Sequence, residues 1–241
     1  MKGKKFLYNF ILALAVIFTC YSLVNFILEK REVRKVKREL EVVEEKKNKI
    51  SDELDINDRY DLYRREFNNN DIIGRLIINS VDIDSLLVQT DNNDYYLRRL
   101  LDGTYNIMGS IFVDYRSDII SGRQINIYGH NSDIYDLPFN RLLKYLDEDF
   151  FLNNKEIILE TLDGVKTFEI FSVKVITDDI EHTEILFDND LDFNEHIKRL
   201  RSNSLYDSLD SISSSDQILV LQTCLLDNAL GKYLIIIGRK V

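Results

Sequence analysis

Three C-terminal stretches, QILVLQTC (217–224), LLDNALGK (225–232) and YLIIIGRKV (233–241), decide the fold of this chain. The first is apolar and rich in β-branched residues as far as Cys224, and the third repeats that pattern from Tyr233 to Ile237. The middle stretch contains residues that favour turns, namely Asp227, Asn228 and Gly231. We therefore predict two buried strands joined by a turn, with Cys224 ending the first and Lys232 opening the second.

Short apolar runs of the same kind recur from residue 71 onwards. The predicted strands are Ile72–Ile78, Val81–Gln89, Ser110–Val113, Gln124–Tyr128, Glu156–Thr161, Val165–Ile176, Gln217–Thr223 and Tyr233–Ile237. Asp163-Gly164 is a hairpin signal, and helical patterns cover Phe139–Phe151 and Leu191–Arg201. The second helix has one apolar face, formed by Leu191, Phe193, Ile197 and Leu200. Many short strands with few helices predict a mostly β protein, built as a closed barrel or a sandwich.

The N-terminal region has a different character. Phe6–Leu28 contains no charged side chain and is long enough to cross a bilayer as a helix. A cleaved signal peptide is the alternative, but no small-residue cleavage site follows the stretch, so we favour an uncleaved anchor. Glu29–Asn68 predicts one or two helices, either packed or forming a solvated spacer. The predicted domains are residues 1–28 (cytoplasmic tip and transmembrane anchor), 29–70 (helical juxtamembrane extension) and 71–241 (barrel).

Charge is distributed unevenly along the chain. The first 50 residues carry a net charge of +6 and the remaining 191 carry −16. This pattern suits a membrane-proximal segment followed by a soluble domain, and it argues against a nucleic-acid partner, which would require a basic face on the folded domain. Basic residues flank the apolar stretch on both sides, and their count alone would place the C-terminal side in the cytoplasm.

Cys224 is the one cysteine outside the apolar stretch, because Cys20 lies within it. A free cysteine is often a small buried hydrophobe, and it becomes a nucleophile only where a neighbour stabilises its thiolate. His130 is the candidate neighbour, since it follows a predicted strand at a strand-to-loop exit, although an ordinary loop histidine is the alternative. For His182 and His196, in polar or helical surroundings, we expect surface positions.

A cysteine nucleophile that attacks a carbonyl needs a donor for the developing oxyanion. The cations that follow Cys224 are Lys232, Arg239 and Lys240. Arg239 lies roughly 23 Å beyond Lys232 along an extended strand, so Lys232 is the better candidate. The sequence has none of the close ligand pairs of zinc sites, no glycine-rich phosphate loop and no Gly-x-Ser-x-Gly elbow, and it predicts neither a metal nor a cofactor.

Leu221-Gln-Thr-Cys224 resembles the Leu-x-Thr-Cys signature of sortases, the membrane-anchored cysteine transpeptidases of Gram-positive surfaces. Other stretches between residues 71 and 241 resemble the class B branch in order. They are Asn93-Asp-Tyr-Tyr-Leu97, Gly109-Ser-Ile-Phe-Val-Asp-Tyr-Arg116, Ile127-Tyr-Gly-His-Asn131, Lys144-Tyr-Leu-Asp-Glu-Asp-Phe-Phe151, Phe168-Glu-Ile-Phe-Ser-Val173 and Ser204-Leu-Tyr-Asp207. One such motif would be weak, but six in sequence order are a specific signal.

The resemblance implies a closed eight-stranded sortase-type barrel with short helices, preceded by a transmembrane helix and a helical extension. It implies that Cys224 is the nucleophile and His130 its partner. The implied partners are surface proteins with a C-terminal sorting signal, cut after Thr, and an accepting amine of peptidoglycan or its lipid-linked precursor. It also implies a single-pass protein with its N-terminus inside and its catalytic domain outside, against the charge count.

Two positions depart from the family pattern. In the family an arginine at the start of the last strand binds substrate and oxyanion, whereas this chain has Lys232, which brings the charge without the planar two-pronged donor. The serine usual two residues before the cysteine is Gln222. These changes support an alternative function, a weakly active or inactive sortase-like barrel that binds surface peptides or wall polymer. Candidate substrate-binding residues are Asn93, Gln222, Thr223, His182 and Thr183, two of which belong to the loop 178–187 that covers the groove in relatives.

Overall fold

The computed structural model describes residues 2–177, 181–206, 212–225 and 232–241. The strands in these ranges are β1 (Ile72–Ile78), β2 (Ile83–Val88), β3 (Phe112–Val113), β4 (Gln124–Tyr128), β5 (Glu156–Thr161), β6 (Gly164–Ile176), β7 (Ile218–Cys224) and β8 (Tyr233–Lys240). They form a closed barrel in the order β1-β2-β3-β4-β7-β8-β6-β5. The β2–β3 and β4–β7 pairs are parallel and the other pairs are antiparallel. The predicted closed eight-stranded barrel is therefore confirmed.

Alternation along the strands separates the barrel interior from an outer apolar layer. Leu219 and Leu221 of β7 belong to the main core cluster inside the barrel. Ile218 and Val220, which alternate with them, belong to a second cluster on the outer face. Helix α4 (Asp190–Arg201) covers this outer cluster. One face of β7 thus points into the barrel, and its other face belongs to the outer surface on which the candidate site lies.

The predicted β5–β6 hairpin is present, with Thr161 paired to Gly164. Gly164 has φ 121°, a region that side-chain-bearing residues rarely adopt, so glycine suits this turn. The predicted helix over Phe139–Phe151 is corrected. It is divided into a 3-10 helix (Pro138–Leu146) and α3 (Glu148–Asn153), because Asp147 accepts a 2.8 Å hydrogen bond from Phe150 N and starts a new helix.

Helix α4 begins after Asn189, whose side chain accepts from the backbone N–H groups of Leu191 and Asp192. The predicted apolar face is correct for three residues and wrong for Leu191, which is 77% exposed in the first turn. Its place on the buried face is taken by His196, which packs beside Phe193. A histidine does not contribute to an apolar sequence pattern, although its uncharged ring can pack among apolar side chains, as His196 does.

The N-terminal helix α1 (Lys2–Asn48) continues without a break past Leu28, where the sequence suggested the end of the anchor. It contains one stretch that is long and apolar enough to cross a membrane. The chain divides into two compact units, residues 1–42 and 43–241. The first unit contains most of α1, and the length and composition of the apolar stretch in this helix suggest a membrane anchor.

Helix α2 (Ile56–Phe67) belongs to the second unit together with the barrel. Tyr60, Tyr63 and Phe67 are buried in a cluster that includes strand residues of β1 and β2. Arg59 makes a 2.5 Å ion pair with Glu160 of β5, and both side chains are almost fully buried. This part of the helical extension is therefore packed on the barrel, and the solvated-spacer alternative does not apply to it.

Candidate active site

The parallel pairing of β4 and β7 brings His130 and Cys224 to the same end of the barrel. Tyr128 is paired with Gln222, and the Gly129 N–H extends the ladder with a 3.2 Å hydrogen bond to Gln222 O. Continuing this register places His130 next to Cys224, in strands about 4.8 Å apart. The side chain of Asn131 donates a 2.9 Å hydrogen bond to Cys224 O and joins the two segments. The two residues predicted as nucleophile and partner are thus neighbours.

Gly129 makes this arrangement sterically feasible. A Cβ at this position would lie 2.5 Å from the ring of Phe139, which is buried in the barrel core. The chain can therefore pass close over Phe139 before it presents His130 at the rim. A glycine between a buried strand and a candidate catalytic histidine is explained by packing.

The imidazole of His130 is held by the main chain of an adjacent 3-10 helix, Tyr96–Arg98. Its Nε2 lies 2.9 Å from Leu97 O. Because a carbonyl oxygen can only accept, Nε2 must carry the proton in this contact. In the neutral ring Nδ1 is then unprotonated and can act as a base.

Cys224 lies at the end of β7 and is exposed. The protein around it still removes part of the water from the sulfur, and this desolvation raises the pKa of the Cys224 thiol above its ordinary value. An isolated thiol here would be less ionised at neutral pH than cysteine in water. A proton acceptor beside it is therefore needed for a useful thiolate population.

An amide network, here called the amide floor, lies along the outer face of β4 and β7. Gln124 Nε2 donates to His182 O (2.7 Å) and to Glu184 O (3.0 Å), and Asn126 Nδ2 donates to His182 O (2.9 Å). His182 Nε2 lies 2.7 Å from Gln222 Oε1. The described part of the loop 178–187 is thus anchored to the strand that carries Cys224; residues 178–180 of that loop lie outside the described residues.

The prediction of surface positions for His182 and His196 is wrong, since they are 5% and 0% exposed. His196 packs between Phe187 and Phe193, and its Nε2 lies 2.7 Å from Gln124 Oε1. Burial lowers the pKa of His196 to about 4, although the nearby Glu184 carboxylate acts in the opposite direction. His196 is therefore neutral near pH 7, and it supports the amide floor through its contact with Gln124.

Asp114 is the centre of a second hydrogen-bond network, and its side chain is fully buried. It accepts hydrogen bonds from Arg116 (2.8 Å), Tyr128 (2.9 Å) and Asn93 (3.0 Å). Burial raises the pKa of Asp114, but the hydrogen bonds that favour the carboxylate outweigh it and hold the pKa below its usual range. Arg116 also donates to Thr183 O (3.1 Å), so the carboxylate helps to position the loop that carries Thr183.

The other candidate residues have different surroundings. Asn93 uses both ends of its amide, donating to Asp114 and accepting from Tyr115 N at 3.0 Å. Thr223 is buried on the barrel side of β7, so its side chain points away from the Cys224 face. Lys232 lies one residue before β8, and its carbonyl accepts a 2.9 Å hydrogen bond from Leu225 N. The residue paired with Cys224 is Tyr233.

The amide floor and the role of Asp114 were not predicted from the sequence. A signal was present, since Gln124 and Asn126 alternate with Ile125 and Ile127 in β4, which indicates one polar and one apolar face. Asp114 gave no comparable signal, because its burial depends on partners distant in sequence. Within the described ranges, no three His, Cys, Asp or Glu side chains are grouped closely enough to hold a metal ion.

Similar proteins were found among curated sequences and solved structures, whereas no protein-family model matches the chain. Sortase B of Listeria monocytogenes is 34% identical over 159 residues, which cover 65% of this chain and 63% of that protein. The matched segment thus spans slightly less than two thirds of this relative. The crystal structure of Bacillus anthracis sortase B matches with a TM-score of 0.68 and 32% identity, over 76% of this chain and 84% of that one. Clostridium perfringens sortase B matches with a TM-score of 0.69 and 27% identity, over 76% and 99%.

Proposed function

Because the chain belongs to the class B sortase family, we propose that it is a membrane-anchored cysteine transpeptidase. It cuts the C-terminal sorting signal of surface proteins after Thr and transfers the new carboxyl group to an amine of peptidoglycan or its lipid-linked precursor. The observation that carries this proposal is the β4–β7 register, whose continuation brings His130 to the same end of the barrel as an exposed Cys224. This pairing meets the requirement of nucleophilic catalysis for a thiol with an adjacent base.

Acylation begins when His130 Nδ1 accepts the proton of the Cys224 thiol. The thiolate attacks the carbonyl carbon of Thr, the carbon–sulfur bond forms, and the carbonyl electron pair moves onto oxygen. When this intermediate collapses, the carbon–nitrogen bond breaks and His130 gives its proton to the departing amine. The contact between His130 Nε2 and Leu97 O holds the ring during both proton transfers.

Deacylation reverses these roles with a different amine. The accepting amine attacks the thioester, His130 takes its proton, and the Cys224 thiolate leaves and is reprotonated. No cofactor takes part, since every proton moves between the thiol, the imidazole and the two amines. The product contains a new amide bond in place of the one that was cut.

In this proposal, the amide floor and the residues around it supply the contacts for the sorting signal. Gln222 shares the outer face with Cys224, and His182 holds its amide oxygen at 2.7 Å. Thr183 and Asn93 line the same region through the Asp114 network. Thr223 contributes through the strand backbone, because its side chain is buried.

The proposal is tested by incubating the full chain in detergent with fluorogenic peptides of the Asn-Pro-x-Thr and Ser/Pro-Pro-x-Thr types. We expect cleavage after Thr and an acyl adduct on Cys224, detected by intact-mass measurement. Added hydroxylamine or a short amine should shorten the life of the adduct, because it replaces the natural acceptor. If no peptide gives an adduct while a thiol reagent labels Cys224 readily, the transpeptidase proposal fails for these signals.

A weakly active or inactive sortase-like barrel remains the second candidate. The raised pKa of the Cys224 thiol favours this candidate, because it lowers the population of the reactive thiolate at neutral pH. Such a protein would bind sorting peptides or wall polymer in the groove without turnover. Retention of a labelled peptide without adduct or cleavage is its expected signature.

We also propose that α1 anchors the protein with its N-terminus inside and its barrel outside the cell. The transpeptidase proposal requires this orientation, because the accepting amine lies in the cell wall. Exposed Cys224 offers a direct test, since a membrane-impermeant maleimide should label it on wall-stripped intact cells in a Cys20→Ala background. Labelling that appears only after lysis would reverse the proposed orientation.

A further inference from the structure

The pairing of β7 with β8 places Tyr233 directly across from Cys224. The next pair contains a main-chain hydrogen bond of 2.9 Å from Leu225 N to Lys232 O. Hydrogen-bonded and non-hydrogen-bonded pairs alternate in antiparallel strands, so Cys224 and Tyr233 form a non-hydrogen-bonded pair. In such pairs the Cα atoms are about 4.5 Å apart and the side chains come closest together.

Tyr233 also shares the outer face of the barrel with Cys224. Ile235 of β8 belongs to the outer apolar cluster, and Tyr233 is partly buried and packs against the same cluster. Lys232 precedes β8 by one residue and is partly buried, so strand alternation does not assign its side chain to a face. The residue paired with the nucleophile across the strands is thus Tyr233, which directly follows the predicted donor Lys232.

The described arginines near β7 and β8 have carboxylate partners away from this pair. Arg116 is bound to Asp114 and to Thr183 O. Arg239 is paired with Ile218, at the other end of β7, and lies 3.4 Å from Glu169. Both arginines are thus held by other groups, and a phenol on the residue paired with Cys224 can supply a hydrogen bond to an oxyanion formed there.

We propose that the Tyr233 hydroxyl donates a hydrogen bond to the carbonyl oxygen while Cys224 adds to the carbonyl carbon. The carbon–sulfur bond forms, the carbonyl electron pair becomes the oxyanion, and the phenol proton stays on Tyr233. As the intermediate collapses, the pair returns to carbon and the leaving group departs. The proposal deepens the transpeptidase function and rests on its thiol nucleophile. A neutral phenol is a weaker donor than a guanidinium, so arginine at this position should serve at least as well.

The test compares two reactions of Cys224 in the full chain, with Cys20→Ala as background. Acylation by p-nitrophenyl acetate passes through an oxyanion, whereas alkylation by iodoacetamide does not. We expect Tyr233→Phe to slow acylation about 10-fold and to leave alkylation within about 2-fold, since one lost oxyanion donor acts on the first reaction alone. Tyr233→Arg should restore acylation to at least the parent rate, and the exposed, distant Tyr105→Phe should change neither rate.

Two outcomes would overturn the assignment of Tyr233. Equal acylation by Tyr233→Phe and its parent would show that the hydroxyl is not used. A matched fall in both reactions would show that the hydroxyl acts on the Cys224 thiol itself and not on the oxyanion. Because neither reagent is a sorting peptide, this experiment can succeed even where the peptide assay fails, and the reverse also holds. With a cleavable peptide, the expected effect is a lower kcat with KM nearly unchanged.

Discussion

Replacing Cys224 by alanine should abolish peptide cleavage and adduct formation while the fold stays intact. We expect activity to fall by about 10⁴-fold or more, because the nucleophile cannot be replaced by a methyl group. The free energy of unfolding should change by no more than about 0.5 kcal/mol, since Cys224 is exposed at the end of β7. Turnover with the peptide panel and thermal unfolding followed by circular dichroism measure the two quantities.

The other cysteine provides the matched control. Cys20→Ala makes the same chemical change inside α1, and it should alter neither turnover nor the unfolding of the barrel. If Cys224→Ala unfolds at a much lower temperature, the thiol is a packing residue and the loss of activity says nothing about chemistry. If the folded alanine variant still cleaves peptide, another nucleophile is responsible.

The barrel could be predicted because its strands are short apolar runs bounded by turn residues. Ile72–Ile78 and Gln124–Tyr128 have the predicted limits, since a 3-10 helix directly follows the first strand and Gly129 directly follows the second. The local sequence pattern was less informative where capping side chains or tertiary contacts determine the limits of a helix or strand. The helix over Phe139–Phe151 is split by the capping side chain of Asp147, and β3 is reduced to Phe112–Val113.

The candidate site was harder to predict from the residues alone. The position of His130 beside Cys224 depends on parallel pairing of two strands that are distant in sequence, which periodicity cannot supply. The resemblance to sortases, by contrast, predicts that His130 is the partner of Cys224. The residue of β8 that is paired with Cys224 depends on the strand register. A register shift of one residue would pair Cys224 with Lys232 instead of Tyr233 and would move the β8 side chains to the opposite face.

The burial of His182 and His196 illustrates a different limit. Both occur in polar sequence, where exposure is the reasonable expectation. Their surroundings come from Gln124, which binds His182 O and His196 Nε2. A polar side chain in an apolar strand was thus the detectable feature, and the histidines that it binds could be assigned only from the three-dimensional structure.

Replacing His130 by alanine should lower kcat/KM for the sorting peptide by about 10³-fold, within the range for loss of an acid–base group. The reason is specific to this site. Desolvation raises the pKa of the Cys224 thiol, so little thiolate forms at neutral pH without a base beside it. The rate of Cys224 alkylation should therefore rise at higher pH in His130→Ala than in the parent. Rates measured between pH 6 and 10 give both profiles.

The alkylation profile separates chemistry from support. His130→Ala also removes the contact with Leu97 O, and one such hydrogen bond contributes roughly 1 kcal/mol. A variant that has only lost this support would keep the parent's alkylation profile, and added imidazole would not help it. A variant that has lost its base should regain part of its activity with imidazole, which can occupy the space of the missing ring. An unchanged profile with no rescue would assign His130 to the loop framework, and the base would then have to be sought elsewhere.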